Sequence, residues 1–113
     1  MGNPILGEVG DHLGAVKLSN DGYTLAVGAD LNDNGVDGTN AGHVRVFEFD
    51  GADWQQSGLD LRGSVAYSQF GYAIAMSGDG KIVAGGAYNG NEPYVQVYSF
   101  QVNKWQELGS ALV

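Results

Sequence analysis

The sequence contains two copies of one pattern, and this repeat constrains the fold more than any other feature. The stretch DGYTLAVGAD, from Asp21, matches DGKIVAGGAY, from Asp79, at a spacing of 58 residues. The stretch HVRVFEF, from His43, matches YVQVYSF, from Tyr94, at a spacing of 51 residues. The difference of seven residues lies in one loop of the first copy, between the two matched stretches. The chain is therefore two related units, with an insertion in the first.

Each copy contains four short stretches of β-type character. Those of the first copy are GAVKLS, YTLAVGA, HVRVFEFD and WQQSGLDL, and those of the second are GYAIAMS, KIVAGGA, YVQVYSF and WQELGSAL. The turn sequences NDG and GDG favour tight hairpins, because Asn, Asp and Gly tolerate positive φ. The 19 glycines of the 113 residues fit many such turns. No helical periodicity occurs, so we expect an all-β chain.

The alternation of side chains along the third stretch indicates how the units are arranged. It places Val44 and Val46 on one face and Arg45 and Phe47 on the other, so neither face is consistently polar. A sheet that is apolar on both faces must stack between neighbours. Four short strands in a repeat of roughly 50 residues, stacked face to face, form a blade of a β-propeller. We therefore predict a single two-blade unit over 1–113, made of two four-stranded antiparallel blades at about 11–63 and 68–113.

The stretch QFGYAIAMSGDGKIVAGGA resembles FG-GAP-type repeats, the blade repeats of integrin-α-like propellers. Phe70 and Gly71 match the FG element, and GGA at 85–87 occupies the GAP element. In the first copy, LG at 13–14 and GAD at 28–30 stand at these places. The resemblance covers both copies. It implies protein or glycan recognition, adhesion or scaffolding rather than one chemistry, and it favours an extracellular or cell-surface location, although the chain shows no signal segment.

The inserted loop matches the start of a calcium-binding loop, D-x-N-x-N-G. The candidate ligands are Asp30, Asn32, Asn34 and Asp37. Oxygen atoms at alternate positions around a glycine bend suit calcium. However, Ala41 stands where an EF-hand has its bidentate Glu, and the loop lies between the second and third strands rather than between the first and second, as in integrin-type propellers. The alternative interpretation is a solvated hairpin loop rich in turn formers, in which case the chain binds no cofactor.

Composition excludes several classes of function. The net charge of −8 repels phosphate backbones, so we expect no nucleic-acid binding. No apolar run approaches the ~20 residues that span a membrane, so we expect no membrane insertion. The chain lacks cysteine, which excludes disulfides and thiolate metal sites. His12 and His43 belong to no catalytic motif such as GxSxG or HExxH, so we expect no enzymatic activity.

Two blades leave an apolar face at each end of the pair, which a soluble monomer rarely exposes. Because the two faces differ, copies must meet head to tail, and such contacts close into a ring or grow into a fibre. Propellers usually contain ~4–8 blades, which predicts a homotrimer of six or a homotetramer of eight.

ILG at 5–7 resembles LRG at 61–63, the end of a fourth strand. We therefore also expect a fragment or engineered piece of a longer propeller. The predicted function is scaffolding or recognition, with calcium-dependent adhesion or glycan binding as the alternative.

Overall fold

The structure is a computed structural model that describes residues 1–7, 12–30, 41–64, 67–87 and 93–113. Within these ranges every regular element is a β-strand, so the all-β prediction is confirmed. The strands are β1 (Leu13–Leu18), β2 (Thr24–Ala29), β3 (His43–Phe49), β4 (Trp54–Gln56), β5 (Leu61–Arg62), β6 (Ala73–Met76), β7 (Ile82–Ala87), β8 (Tyr94–Gln101) and β9 (Lys104–Glu107).

The strands form two antiparallel sheets with the same internal order. The first sheet runs β1-β2-β3-β4, with β5 also paired to β3, and the second runs β6-β7-β8-β9. Val16 pairs with Val27 in the first sheet, and Ile74 pairs with Gly85 in the second. Each member of the second pair follows its counterpart by the 58 residues of the sequence repeat. The two sheets therefore share the register of their first hairpin.

Both first hairpins turn on the same side-chain arrangement. The hydroxyl of Ser19 donates to the carboxylate of Asp21 at 2.7 Å, and the amide of Tyr23 donates to the same carboxylate at 2.9 Å. The bond from the Tyr23 amide is the largest cause that holds the pKa of Asp21 below its ordinary value. In the second copy, the hydroxyl of Ser77 donates to Asp79, also at 2.7 Å. These bonds satisfy polar groups at the turns that the NDG and GDG sequences predict.

The fourth predicted strand of the first copy is wrong as a single element. β4 ends at Gln56, and β5 lies further along the chain and pairs with β3 rather than continuing β4. Gly58, between them, has φ 78°, a left-handed conformation that extended strand pairing does not use. The break brings Asp60 beside Arg45, whose Nε and Nη2 donate to its two oxygens at 2.9 and 3.2 Å. A bidentate ion pair therefore fixes the connection between β4 and β5.

The core lies between the two sheets, where β6 packs against β1 and β2. Val44 and Val46 are fully buried there, so the predicted division of β3 into two faces is confirmed. Arg45 and Phe47, on the opposite face, are partly exposed. The buried apolar residues of the core are Ala26, Val44, Val46, Leu61, Phe70, Ile74, Val83 and Ala87.

Candidate functional site

The predicted calcium loop falls mainly outside the described residues. Asn32, Asn34 and Asp37 lie in the range that the structure does not describe, whereas Asp30 closes the end of β2. Oδ1 of Asp30 lies 2.9 Å from Nδ1 of His12, and the Asp30 side chain is buried. Within the described ranges, no group of three or more His, Cys, Asp or Glu side chains could hold a metal ion. The calcium site stays a prediction.

The contact between His12 and Asp30 follows from the first hairpin. Leu13 pairs with Ala29, so the residue before β1 lies opposite the residue after β2. A carboxylate accepts hydrogen bonds, so the His12 ring donates to Asp30 through Nδ1. Such a pair can orient a base, but catalysis also needs a nucleophile or substrate in reach of it. Sequence reasoning assigned His12 to no motif, although the register of the hairpin could have identified Asp30 as its partner.

The second sheet has an outer face, which points away from the core. This outer face of the second sheet consists of Ala73, Ala75, Ala84, Gly86, Val95 and Val97. Four of these residues stand at the repeat positions of Ala26, Gly28, Val44 and Val46, which the first sheet buries against the second. Val44 is 0% exposed, whereas its counterpart Val95 is 38% exposed. A surface that is interior in the first sheet is therefore exterior in the second.

The first sheet has an outer face of opposite character. This outer face of the first sheet consists of Val16, Leu18, Leu25, Val27 and Phe47. Val16 and Leu18 are 53% and 57% exposed. By the repeat they correspond to Ile74 and Met76, which the second sheet directs into the core. The chain therefore carries, on opposite outer faces, copies of both halves of its own internal interface, and Val16 and Leu18 are the exposed part of the first of these faces, whereas Val27 is buried.

Two glycines at equivalent positions of the repeat, Gly28 and Gly86, also differ in how closely they are packed. A Cβ atom built on Gly28 would overlap the carbonyl oxygen of Gly71, because the chain before β6 crosses β2 at that point. A Cβ atom on Gly86, the counterpart of Gly28, would meet only Ala73, at the ordinary distances of 3.6 and 3.8 Å. Packing inside the chain thus requires glycine at the first position and leaves room at the second.

The turns of the first hairpins show this difference at the other end of β2 and β7. A Cβ atom on Gly80 would lie 2.9 Å from the Cβ of Thr24, so the turn of the second sheet packs against the first. Gly22, the counterpart of Gly80, has nothing within 4 Å of the same point. The turn of the first sheet therefore exposes the surface that the turn of the second sheet buries against Thr24.

Both tryptophans dock on a backbone carbonyl beside a glycine of positive φ. Nε1 of Trp105 donates to the carbonyl of Ser57 at 2.9 Å, next to Gly58. Nε1 of Trp54 donates to the carbonyl of Met1 at 3.2 Å. Trp105 joins the second sheet to the first in this way, whereas Trp54 joins the first sheet to the start of the chain.

A polar cavity of about 180 Å³ lies where the end of the first sheet meets the second. The amide of Ser64 donates to the hydroxyl of Tyr94 at 3.0 Å at this place. Burial, followed by the charge of Glu107 and the neighbouring Tyr94, raises the pKa of Tyr98 to about 12. The Tyr98 phenol therefore remains a hydrogen-bond donor at neutral pH. The polar side chains of the lining are Arg62, Ser64, Tyr94, Gln96, Tyr98 and Glu107.

Neither the protein-family models nor the curated proteins with which the chain was compared match it. In the part of the chain that the structure describes, no helix has the length and apolar character needed to cross a bilayer.

Proposed function

We propose that the chain is a non-enzymatic β-propeller unit that assembles with further copies of itself into a closed ring, which acts as a scaffold or recognition module. One observation carries the proposal: the outer face of the second sheet repeats the face that the first sheet buries in the core. A second copy can place its first sheet there and use the packing that already joins the two sheets of one chain.

Burial of the exposed apolar side chains supplies the driving force. Val16 and Leu18 are more than half exposed, and full burial of such a side chain contributes about 1.5–3 kcal/mol. The outer face of the first sheet differs from that of the second, so the contact is head to tail and must close to avoid a fibre. With two blades in each chain and ~4–8 blades in most propellers, we favour a homotrimer of six blades or a homotetramer of eight.

Light scattering after size-exclusion chromatography tests the assembly. We expect a discrete species of three or four times the mass of one chain as the concentration rises from micromolar to millimolar, since association is driven by mass action. A folded chain that stays monomeric over this range contradicts the proposal. A dimer that stops growing, with its two chains packed face to face through like faces around a two-fold axis, also contradicts it.

A matched pair of substitutions locates the interface. Val16→Asp places a charge on the outer face of the first sheet, where burial in a second copy would leave it unpaired. Leu59→Asp adds the same charge at a residue that is 86% exposed and lies outside both outer faces. We expect Val16→Asp to reduce the mass to that of one chain and Leu59→Asp to leave the assembly intact. Equal effects would show that added charge alone, not this face, controls association.

The polar cavity supports a second candidate, recognition of a small sugar. Its guanidinium, carboxylate and phenol groups match the alternating donors and acceptors of a polyol. Saturation-transfer NMR with a set of monosaccharides tests it. We expect Glu107→Gln to abolish the transfer and Glu48→Gln, in the first sheet, to preserve it. A signal that survives Glu107→Gln would place the sugar elsewhere.

A further inference from the structure

In three segments of the chain, a glycine in the left-handed conformation stands at the equivalent position. The leading segment (1–7), the middle segment (57–63) and the tail segment (108–113) each carry a glycine with φ between 67° and 78° at the second position. These glycines are Gly2, Gly58 and Gly109. An apolar residue follows three positions later in each segment, at Ile5, Leu61 and Leu112.

The middle segment shows what this conformation does inside the chain. Leu61 pairs with β3 of the first sheet, while the carbonyl of Ser57 accepts the indole N–H of Trp105 from the second. A Cβ atom on Gly58 would lie 2.7 Å from Cδ1 of Trp105, so only glycine lets the indole approach. The middle segment therefore belongs to one sheet and receives the tryptophan of the next.

The leading segment makes the same contact with the first sheet. The carbonyl of Met1 accepts the indole N–H of Trp54 at 3.2 Å, and a Cβ atom on Gly2 would lie 3.3 Å from Cδ1 of Trp54. Asn3 adds two bonds, from its amide and its side chain to the carboxylate of Asp53, at 2.9 and 3.0 Å. Within the described ranges, the leading segment is not paired with any strand of a preceding sheet.

The tail segment is paired with the sheet that precedes it, whereas the leading segment contacts the sheet that follows it. Leu112 exchanges two backbone hydrogen bonds with Val95 of β8, at 2.8 and 2.9 Å, so the segment is attached to the sheet that precedes it. Nothing lies within 4 Å of a Cβ atom built on Gly109. The tail segment therefore has a site equivalent to the one in the middle segment that receives Trp105, and none of the described residues occupies it.

We propose that the leading segment occupies, on the first sheet, the place that the tail segment of a second copy takes on assembly, so that the two segments compete for Trp54 and Asp53. This inference rests on the head-to-tail assembly proposed above and adds a contact that opposes it. The leading segment covers the first sheet incompletely, since an open groove of about 470 Å³ lies between them. In the competing state, the carbonyl of Leu108 accepts the indole of Trp54, and Ser110 replaces Asn3 beside Asp53.

A disulfide between copies tests the contact directly, because the chain has no cysteine of its own. One chain carries Ser110→Cys and another carries Asp53→Cys, and the two are mixed under mild oxidation. Asp53→Cys also removes the carboxylate that holds Asn3. The matched control is one chain with Leu59→Cys and Lys104→Cys, the repeat counterparts of Ser110 and Asp53, 51 residues earlier and 51 residues later respectively. We expect closure within the control chain and a crosslinked heterodimer in the mixture.

The competition itself is tested by Asn3→Ala, with Leu59→Ala as its control at the equivalent position of the middle segment. Loss of the side-chain hydrogen bond from Asn3 to Asp53, with the backbone bond kept, should lower the dissociation constant for assembly about fivefold, while Leu59→Ala leaves it unchanged. If the chains assemble by mass but the mixture gives no heterodimer while the control closes, this inference is overturned and the assembly proposal stands. The same holds if Asn3→Ala leaves the constant unchanged. If every variant stays monomeric at all concentrations, both proposals fail.

Discussion

A methyl group added at Gly28 tests the contact between the two sheets of one chain. A methyl group added at Gly86 tests the equivalent position on the outer face of the second sheet. At Gly28 the new Cβ atom would overlap the carbonyl oxygen of Gly71 and lie 2.9 Å from its carbonyl carbon. At Gly86 the nearest atom is the Cβ of Ala73, at 3.6 Å. We therefore expect Gly28→Ala to destabilise the chain and Gly86→Ala to stabilise it slightly.

The magnitudes follow from two opposing effects. Replacing a strand glycine by alanine stabilises by about 0.5–1 kcal/mol, because the unfolded chain loses conformational freedom. Overpacking costs about 1–3 kcal/mol, and the atoms that Gly28→Ala meets belong to the backbone and cannot rotate away. The net expectation is a loss of about 2 kcal/mol for Gly28→Ala and a gain of about 0.5 kcal/mol for Gly86→Ala. At roughly 4 °C per kcal/mol, the melting temperature falls by about 8 °C or rises by about 2 °C.

Urea unfolding and calorimetry at low micromolar concentration, where association is weakest, measure both variants. Equal changes at the two glycines would refute the argument, because the contact with Gly71 would then not distinguish them. At high concentration, Gly86→Ala should impair assembly, since the new Cβ atom would meet the carbonyl of Leu13 in a second copy. Leu13 stands 58 residues before Gly71 in the repeat. Wild-type assembly by Gly86→Ala would count against the proposed interface.

Three further outcomes are expected. Trp105→Phe should lower the free energy of unfolding by about 1–2 kcal/mol in urea, because the carbonyl of Ser57 loses its donor; an unchanged midpoint would contradict this. Burial raises the pKa of Asp60, but hydrogen bonds from Arg45 and Gln56 outweigh it and hold the pKa below the ordinary 3.8. Its stabilisation is therefore present above that value and lost as the pH falls through the folded pKa. Asp60→Asn should destabilise the chain at neutral pH and approach the parent as the pH falls through the folded pKa of Asp60, and a difference that stays constant with pH would refute this. Millimolar calcium should leave the melting temperature unchanged, because His12 already engages the Asp30 carboxylate, and a clear rise would favour a calcium loop.

The strands and their faces could be predicted because two local signals agree. Alternation along β3 assigned Val44 and Val46 to one face, and their burial confirms it. The turn sequences placed hairpins at Asp21 and Asp79, where the carboxylates accept the hydrogen bonds of the turn. Such patterns are local, so they are readable from a single sequence.

The remaining features depend on conformation or on distant contacts. WQQSGLDL alternates well enough to resemble one strand, and only the positive φ of Gly58 divides it. The resemblance of residues 5–7 to 61–63 was visible in the sequence, but the docking of Trp54 on Met1 was not, since it joins residues 53 positions apart. Three of the four predicted calcium ligands lie outside the described residues, so that prediction is neither supported nor contradicted by geometry.

The sizes of the side chains on the two outer faces argue for a head-to-tail contact over a symmetric one. The outer face of the second sheet is built around small residues such as Ala84 and Gly86, whereas that of the first sheet carries Val16, Leu18 and Phe47. Two copies that met through like faces would place small residues against small ones, with voids, or large against large, with the sheets held apart. Only unlike faces reproduce the separation that the sheets have inside one chain, and such a contact leaves one face of each kind open at the ends until the ring closes.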